Sequence, residues 1–81
     1  MKFSSDKLFY VNEEKNSKKF WEIEIDAFNK SAVVVTRRWG RIGTAGQEKA
    51  ETFDSYNDAR TLYYGLLDSK LRKGYRYAVG Q

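Results

Sequence analysis

Three patterns in this 81-residue chain predict an α+β fold in which a small antiparallel sheet of about four strands packs against one C-terminal helix. Trp21, Ile23 and Ile25 alternate with Glu22, Glu24 and Asp26, which is the period-two signature of a half-buried strand. Ala32-Val33-Val34-Val35-Thr36 is dense in β-branched side chains, whose crowding near the backbone suits a pleated surface better than a helix. Ala59, Leu62, Tyr63, Leu66, Leu67 and Leu71 then recur at three- and four-residue steps, giving one apolar stripe wide enough to cover a sheet.

Leu8-Phe9-Tyr10-Val11 is a short apolar and aromatic run ending at Asn12, followed by the polar Glu13-Glu14-Lys15-Asn16-Ser17, so it reads as a strand and a turn. The second strand is the alternating stretch from Phe20 to Ala27, in which Trp21 is in phase with Ile23 and Ile25 and belongs to the core. Phe28-Asn29-Lys30-Ser31 supplies a turn, and Ala32 to Trp39 returns as the partner strand of a hairpin. Gln47 to Phe53 is only weakly apolar and is expected to pair antiparallel with that strand as a sheet edge. Ser55-Tyr56-Asn57-Asp58 has the form of a capping box, and Asp54 and Asp58 suit the positive end of a helix dipole. The helix is expected to stop near Lys73, with Gly74 as a left-handed cap and Lys70, Arg72 and Lys73 complementing the negative dipole end. Gly65 falls mid-helix, where it costs roughly 1 kcal/mol relative to Ala, and a close helix-to-sheet approach is the expected reason. Tyr75 and Tyr77 are expected to pack against the sheet edge.

Composition narrows the function. One domain covering residues 1–81 is the expected organisation, near the lower size at which a single core supports itself without disulfides or metal. The chain has neither His nor Cys, so thiol chemistry, His-based triads and zinc or copper sites have no residues from which to be built. No cofactor and no metal are expected. No segment approaches the length of a membrane span and no apolar run follows Lys2, so a soluble, intracellular, cytoplasmic protein is expected. The net charge of +4 is unevenly spread. Residues 27–47 carry Lys30, Arg37, Arg38 and Arg41 and no acid, and residues 59–81 carry Arg60, Lys70, Arg72, Lys73 and Arg76 against Asp68 alone. Such segments create local positive fields suited to anionic partners.

The first of these segments contains Arg37-Arg38-Trp39-Gly40-Arg41-Ile42-Gly43-Thr44-Ala45-Gly46. Guanidiniums pair bidentately with phosphate oxygens, an indole face stacks on sugar or base, and glycines allow close backbone approach. Trp39-Gly40-Arg41-Ile42-Gly43 followed by Gly46-Gln47 resembles the signature of the WGR domain family, found in poly(ADP-ribose) polymerases and in many bacterial proteins. Asn16-Ser17-Lys18-Lys19-Phe20-Trp21 is similar to the family's polar turn with Lys and paired aromatics, and Phe53 to Ala59 to its strand end and helix start. Lys70-Leu71-Arg72-Lys73-Gly74-Tyr75 is similar to the ending of bacterial members. The resemblance implies a sheet packed against one helix and, from the DNA-dependent polymerases, engagement of DNA at strand breaks. By the same resemblance Trp39 would stack on a terminal nucleotide's sugar, Arg41 would contact backbone or a neighbouring domain, and Lys19 would lie near phosphates. Lys18 stands where the family often has Asn, so simple phosphate attraction would replace a geometric contact there.

The candidate nucleic-acid-binding residues are therefore Trp39, Arg41, Arg38, Gly40, Lys19, Lys18, Lys70 and Lys73. Two readings stand for Trp39, a cap on the core or an exposed stacking platform. Lys70 and Lys73 read equally as dipole partners or as phosphate ligands. Strand alternation sends Arg37 and Arg38 to opposite faces, so at least one of them serves structure; Arg41 is the first choice for phosphate and Arg38 the second. The expected function is a non-enzymatic nucleic-acid-binding module, for DNA ends or breaks, that contacts phosphates without reading base edges. The alternative is a protein-protein or interdomain docking module in a bacterial regulator, since Trp and Arg also dominate interface hot spots.

Overall fold

A computed structural model describes residues 2–29 and 31–78. Its elements are β1 (Lys2–Asn12), β2 (Ser17–Asn29), β3 (Ala32–Arg41), β4 (Gln47–Phe53), α1 (Tyr56–Arg72) and β5 (Arg76–Tyr77). The strands form one antiparallel sheet in the order β4-β3-β2-β1-β5. β1 and β2 extend beyond the apolar runs that announce them, because an antiparallel ladder satisfies the backbone of polar residues as readily as that of apolar ones. In the turn between β2 and β3 the Ser31 amide donates to Asn29 Oδ1 at 2.8 Å, while Lys30 lies outside the described residues.

The register fixes which side chains share a face. Leu8 pairs with Trp21 and Trp21 with Trp39, so these three form one row across the sheet, and Ile23, Ile25, Val33 and Val35 lie on the same side. α1 covers that face with Ala59, Tyr63 and Leu67, each four residues from the next, and these three are buried as one core with Leu8, Trp21, Ile23, Ile25, Val33 and Val35. Leu62, Leu66 and Leu71 flank it half-buried. Each fully buried Leu, Ile or Val in such a core contributes about 1.5–3 kcal/mol.

The helix begins as its sequence indicates: Ser55 is extended, and its Oγ accepts from the Asp58 amide at 3.2 Å. It ends in a Schellman motif. The Gly74 amide donates to the Leu71 carbonyl at 3.2 Å and the Tyr75 amide to the Lys70 carbonyl at 3.1 Å, with Gly74 at φ 103°. This reversal throws the chain back along the open edge of β1, where Leu8 faces Tyr77 and Phe9 faces Arg76.

The sheet has five strands rather than about four, and the helix is followed by a strand rather than closing the chain. A two-residue strand carries no periodicity, so the return exists only because the Gly74 turn delivers it to an unpaired edge. Gly65 makes no close approach to the sheet: it is exposed, and a Cβ built on it meets nothing within 4 Å.

The outer face of the sheet has a smaller apolar centre. Phe20 is 5% exposed there, roofed by the loop between β3 and β4. A Cβ on Gly46, at φ +75°, would lie 2.3 Å from the Trp39 carbonyl oxygen and 2.8 Å from the Phe20 ring. One on Gly40 would lie 2.8 Å from the Gly46 Cα. These glycines let the loop close onto the sheet and onto itself.

Candidate functional site

Three chain reversals meet at one end of the sheet: the β1–β2 turn, the β3–β4 loop, and the end of α1. One step beyond the row of Leu8, Trp21 and Trp39 lies the row of Tyr10, Lys19 and Arg41, on the helix-covered face but past the point where the helix covers it. Directly opposed side chains in such rows have Cβ atoms about 4.5–5.5 Å apart, so Lys19 sits between an aromatic ring and a guanidinium. Lys70, from the last turn of α1, reaches over this region, its Nζ 6.0 Å from the Trp21 ring centroid and 5.2 Å from that of Tyr75. Tyr75 in turn packs on Tyr10 with ring centroids 5.4 Å apart.

The result is a basin of two adjoining depressions that share Lys19, Lys70 and Tyr75. One, of about 420 Å³, is walled by Trp39 and Arg41; the other, of about 390 Å³, adds Lys15, Lys73, Ser17 and Tyr10. No carboxylate of the described residues lines either one. Burial holds the Lys70 ammonium below the usual lysine range, and the positive charges of Lys73 and Lys19 push it further down. Burial raises the Tyr75 hydroxyl, with a smaller contribution from Tyr10.

Five cations of the described residues have a carboxylate partner and five others gather at the basin, while Lys7, Lys18, Arg60 and Arg76 have neither a carboxylate partner among the described residues nor a place in the basin. Arg37 pairs with Glu51 at 2.8 Å, Lys49 with the same carboxylate at 3.6 Å, Lys2 with Glu24 at 3.3 Å and Arg72 with Asp68 at 2.9 Å; Arg38 pairs with Glu22. Lys15, Lys19, Lys70, Lys73 and Arg41 pair with no carboxylate of the described residues, and all five line the basin. Arg41 uses Nη1 to donate to the Asn16 carbonyl at 3.3 Å, which ties the loop to the β1–β2 turn and leaves its remaining donors at the rim.

Of the residues singled out from sequence, Trp39, Arg41, Lys19, Lys70 and Lys73 are brought together, and Gly40 forms the lip of the basin. Arg38 and Lys18 are not. Alternation turns both to the outer face, where Arg38 lies 5.5 Å from the Phe20 ring centroid and on its ion pair with Glu22. Trp39 is half-buried against the core and also walls the basin. Tyr10, Tyr75 and Lys15 were not among the candidates. The hairpin register, which brings the β1–β2 turn beside the signature loop, is the signal that carries Lys15 there.

A second concavity, of about 700 Å³, lies mostly over the outer face, but its Arg38–Glu22 and Lys2–Glu24 pairs neutralise it internally. Elsewhere, Asp6 accepts from the hydroxyls of Tyr63 and, at 2.8 Å, Tyr77, while Ser4 Oγ lies 3.1 Å from the Tyr63 oxygen. Burial and the Asp6 contact push the Tyr63 hydroxyl well above the ordinary tyrosine range. Among the described residues no group of His, Cys, Asp and Glu is placed to hold a metal ion, and no helix is long and apolar enough to cross a membrane.

A five-stranded sheet with one helix, carrying a cationic and aromatic basin at one end, defines a small α+β binding domain. The chain belongs to the WGR domain family, whose model matches residues 7–81. The uncharacterized protein y4dW of Sinorhizobium fredii (strain NBRC 101917 / NGR234) is 34% identical over 62 residues, covering 76% of this chain and 30% of that protein. The crystal structure of a protein from Bacteroides fragilis, a structural-genomics target, superposes with a TM-score of 0.71 at 28% identity, over 94% of this chain and 20% of that one. The chain thus spans less than a third of the length of either relative.

Proposed function

We propose that this WGR domain is a non-enzymatic nucleic-acid-binding module, working in the cytoplasm, that holds DNA at an end or break in the basin between Trp39 and the lysines. The observation that carries this reading is the gathering around Trp39 and Tyr75 of five cations, Lys15, Lys19, Arg41, Lys70 and Lys73, that pair with no carboxylate of the described residues. Ammonium groups attract phosphate without regard to sequence, the indole offers a sugar or base a surface to stack on, and Arg41 at the rim offers a bidentate fork. Phosphate contacts of this kind position a nucleic acid and leave base edges unread.

The test is fluorescence-anisotropy binding to blunt duplex DNA across a salt series, comparing the wild type with Trp39→Ala. Binding is expected to weaken with salt, with a log–log slope of about −0.9 for each phosphate engaged. Trp39→Ala is expected to weaken it by roughly 1–3 kcal/mol, the usual worth of one aromatic stack, while circular dichroism reports the fold. No binding at low salt overturns the proposal. A docking role is the second reading, supported by the greater length of both relatives. It predicts an interface centred on Trp39 that tolerates salt and survives nuclease treatment in a pull-down.

A further inference from the structure

The two halves of the basin differ in chemistry. The half walled by Trp39 and Arg41 combines an indole, a tyrosine ring and two lysines; the other gathers Lys15, Lys19, Lys70 and Lys73 around one opening. These four ammonium groups come from three separate parts of the fold, the β1–β2 turn, β2 and the end of α1, so no single local rule places them together. The dipole of α1 explains only part of the cluster. A helix C-terminus carries roughly half a negative charge, far less than the lysines bring. The last carbonyls of α1 are already occupied, Lys70 O by the Lys73 and Tyr75 amides and Leu71 O by the Gly74 amide and by Arg76 Nη1 at 2.9 Å. Lys70 cannot readily swing away from its like-charged neighbours, since its stem is half-buried between Trp21 and Tyr75.

A bridging phosphodiester brings one negative charge, and the sugars on either side hold the next phosphates apart. A terminal phosphomonoester brings about 1.5–2 negative charges near pH 7, and a terminal chain of three phosphoryl groups about 3.5–4. Only the last concentrates enough charge in one place to balance four lysines around an opening of about 390 Å³.

We infer that the four-lysine half of the basin is a site for a terminal polyphosphate group, with the attached nucleoside seated against Trp39 and Tyr75 in the adjoining half. This rests on the nucleic-acid reading above and specifies which part of the ligand the lysines take. The same chemistry occurs on a free nucleoside triphosphate and on a 5′-triphosphorylated oligonucleotide, and two arms of one experiment separate them.

In magnesium-free buffer of low salt, binding of adenosine, AMP, ADP and ATP would be measured by calorimetry. Anisotropy would be measured in parallel for one short labelled oligonucleotide bearing a 5′-hydroxyl, 5′-monophosphate or 5′-triphosphate. Affinity is expected to rise with every phosphoryl group, by at least about tenfold from monophosphate to triphosphate in the arm that matches the natural ligand. The doubly substituted Lys19→Gln/Lys73→Gln protein, both positions exposed, is expected to lose that discrimination with its circular dichroism unchanged. Arg72→Gln, which removes a cation already paired with Asp68, is expected to keep it. Equal affinity for hydroxyl, monophosphate and triphosphate termini overturns the inference. If duplex binding nevertheless remains dependent on salt and on Trp39, the nucleic-acid reading stands without it. Failure of every oligonucleotide and duplex with retained graded binding of ADP and ATP removes the nucleic-acid reading and identifies the free nucleotide as the source.

Discussion

Lys70 shows how a single side chain serves binding at a cost to the fold. Its ammonium is held half-buried beside Lys73 and Lys19 and pairs with no carboxylate of the described residues, so its pKa is lower in the folded chain than in the unfolded one. A lysine lowered in this way binds fewer protons when folded, so its effect is to raise stability as pH climbs from the folded value toward the unfolded one near 10.4. At neutral pH the charge opposes folding. Lys70→Gln is therefore expected to leave the melting temperature at or above that of the wild type while weakening anion binding, checked by thermal melts beside anisotropy. Tyr63 has the opposite sign. Its hydroxyl is raised by burial and by Asp6, so the stability it contributes is present below the unfolded value near 10 and lost as pH rises toward the folded one. Tyr63→Phe is expected to cost about 1–3 kcal/mol at neutral pH by leaving Asp6 short of a donor, and to flatten the alkaline loss of stability in chemical denaturation at pH 7 and pH 11. The letters leave Lys70 open between dipole partner and phosphate ligand and do not show its burial, and nothing local links Asp6 to residues more than fifty positions away.

Among the elements, the helix was the most legible and Gly65 its one misreading. The stripe of Ala59, Tyr63 and Leu67, the Ser55 cap and the Gly74 turn all depend on neighbours within a few residues, which is why local sequence specifies them. Whether a mid-helix glycine marks a tight contact depends on what lies opposite it. Gly65 faces open space, so Gly65→Ala is expected to stabilise the domain by roughly 1 kcal/mol, read as a higher urea midpoint with unchanged slope. A tight helix-to-sheet contact would instead make the same change destabilising. The strands were legible as apolar runs, but their ends were set by pairing: β1 gains its polar start from the ladder with β2, and β5 exists only beside β1. The loop glycines suit close approach of a ligand, and Gly40 and Gly46 also fit the loop to Phe20 and to its own backbone.

Across the whole molecule the cations are sorted by face. Arg38, close in sequence to Trp39, lies on the outer face with Glu22, while Lys19, Lys70 and Lys73, distant in sequence, share the basin with it. Lys19→Gln is accordingly expected to weaken duplex binding and reduce the salt slope by about 1, whereas Arg38→Gln is expected to leave both unchanged in the same anisotropy series. If Arg38→Gln has the larger effect, the interface lies on the other side of the sheet. The helix, the alternation of β2 and β3, the separation of Arg37 from Arg38 and the family signature around Trp39 can all be read from the letters, because each rests on period, capping or short motifs. That Tyr10, Lys15, Lys19, Lys70, Lys73 and Tyr75 meet beside Trp39, and which of these cations pair with no carboxylate of the described residues, follows from the packed fold alone. Register and the turn at Gly74 set those meetings, and both are properties of strands and helix packed together rather than of any stretch read alone.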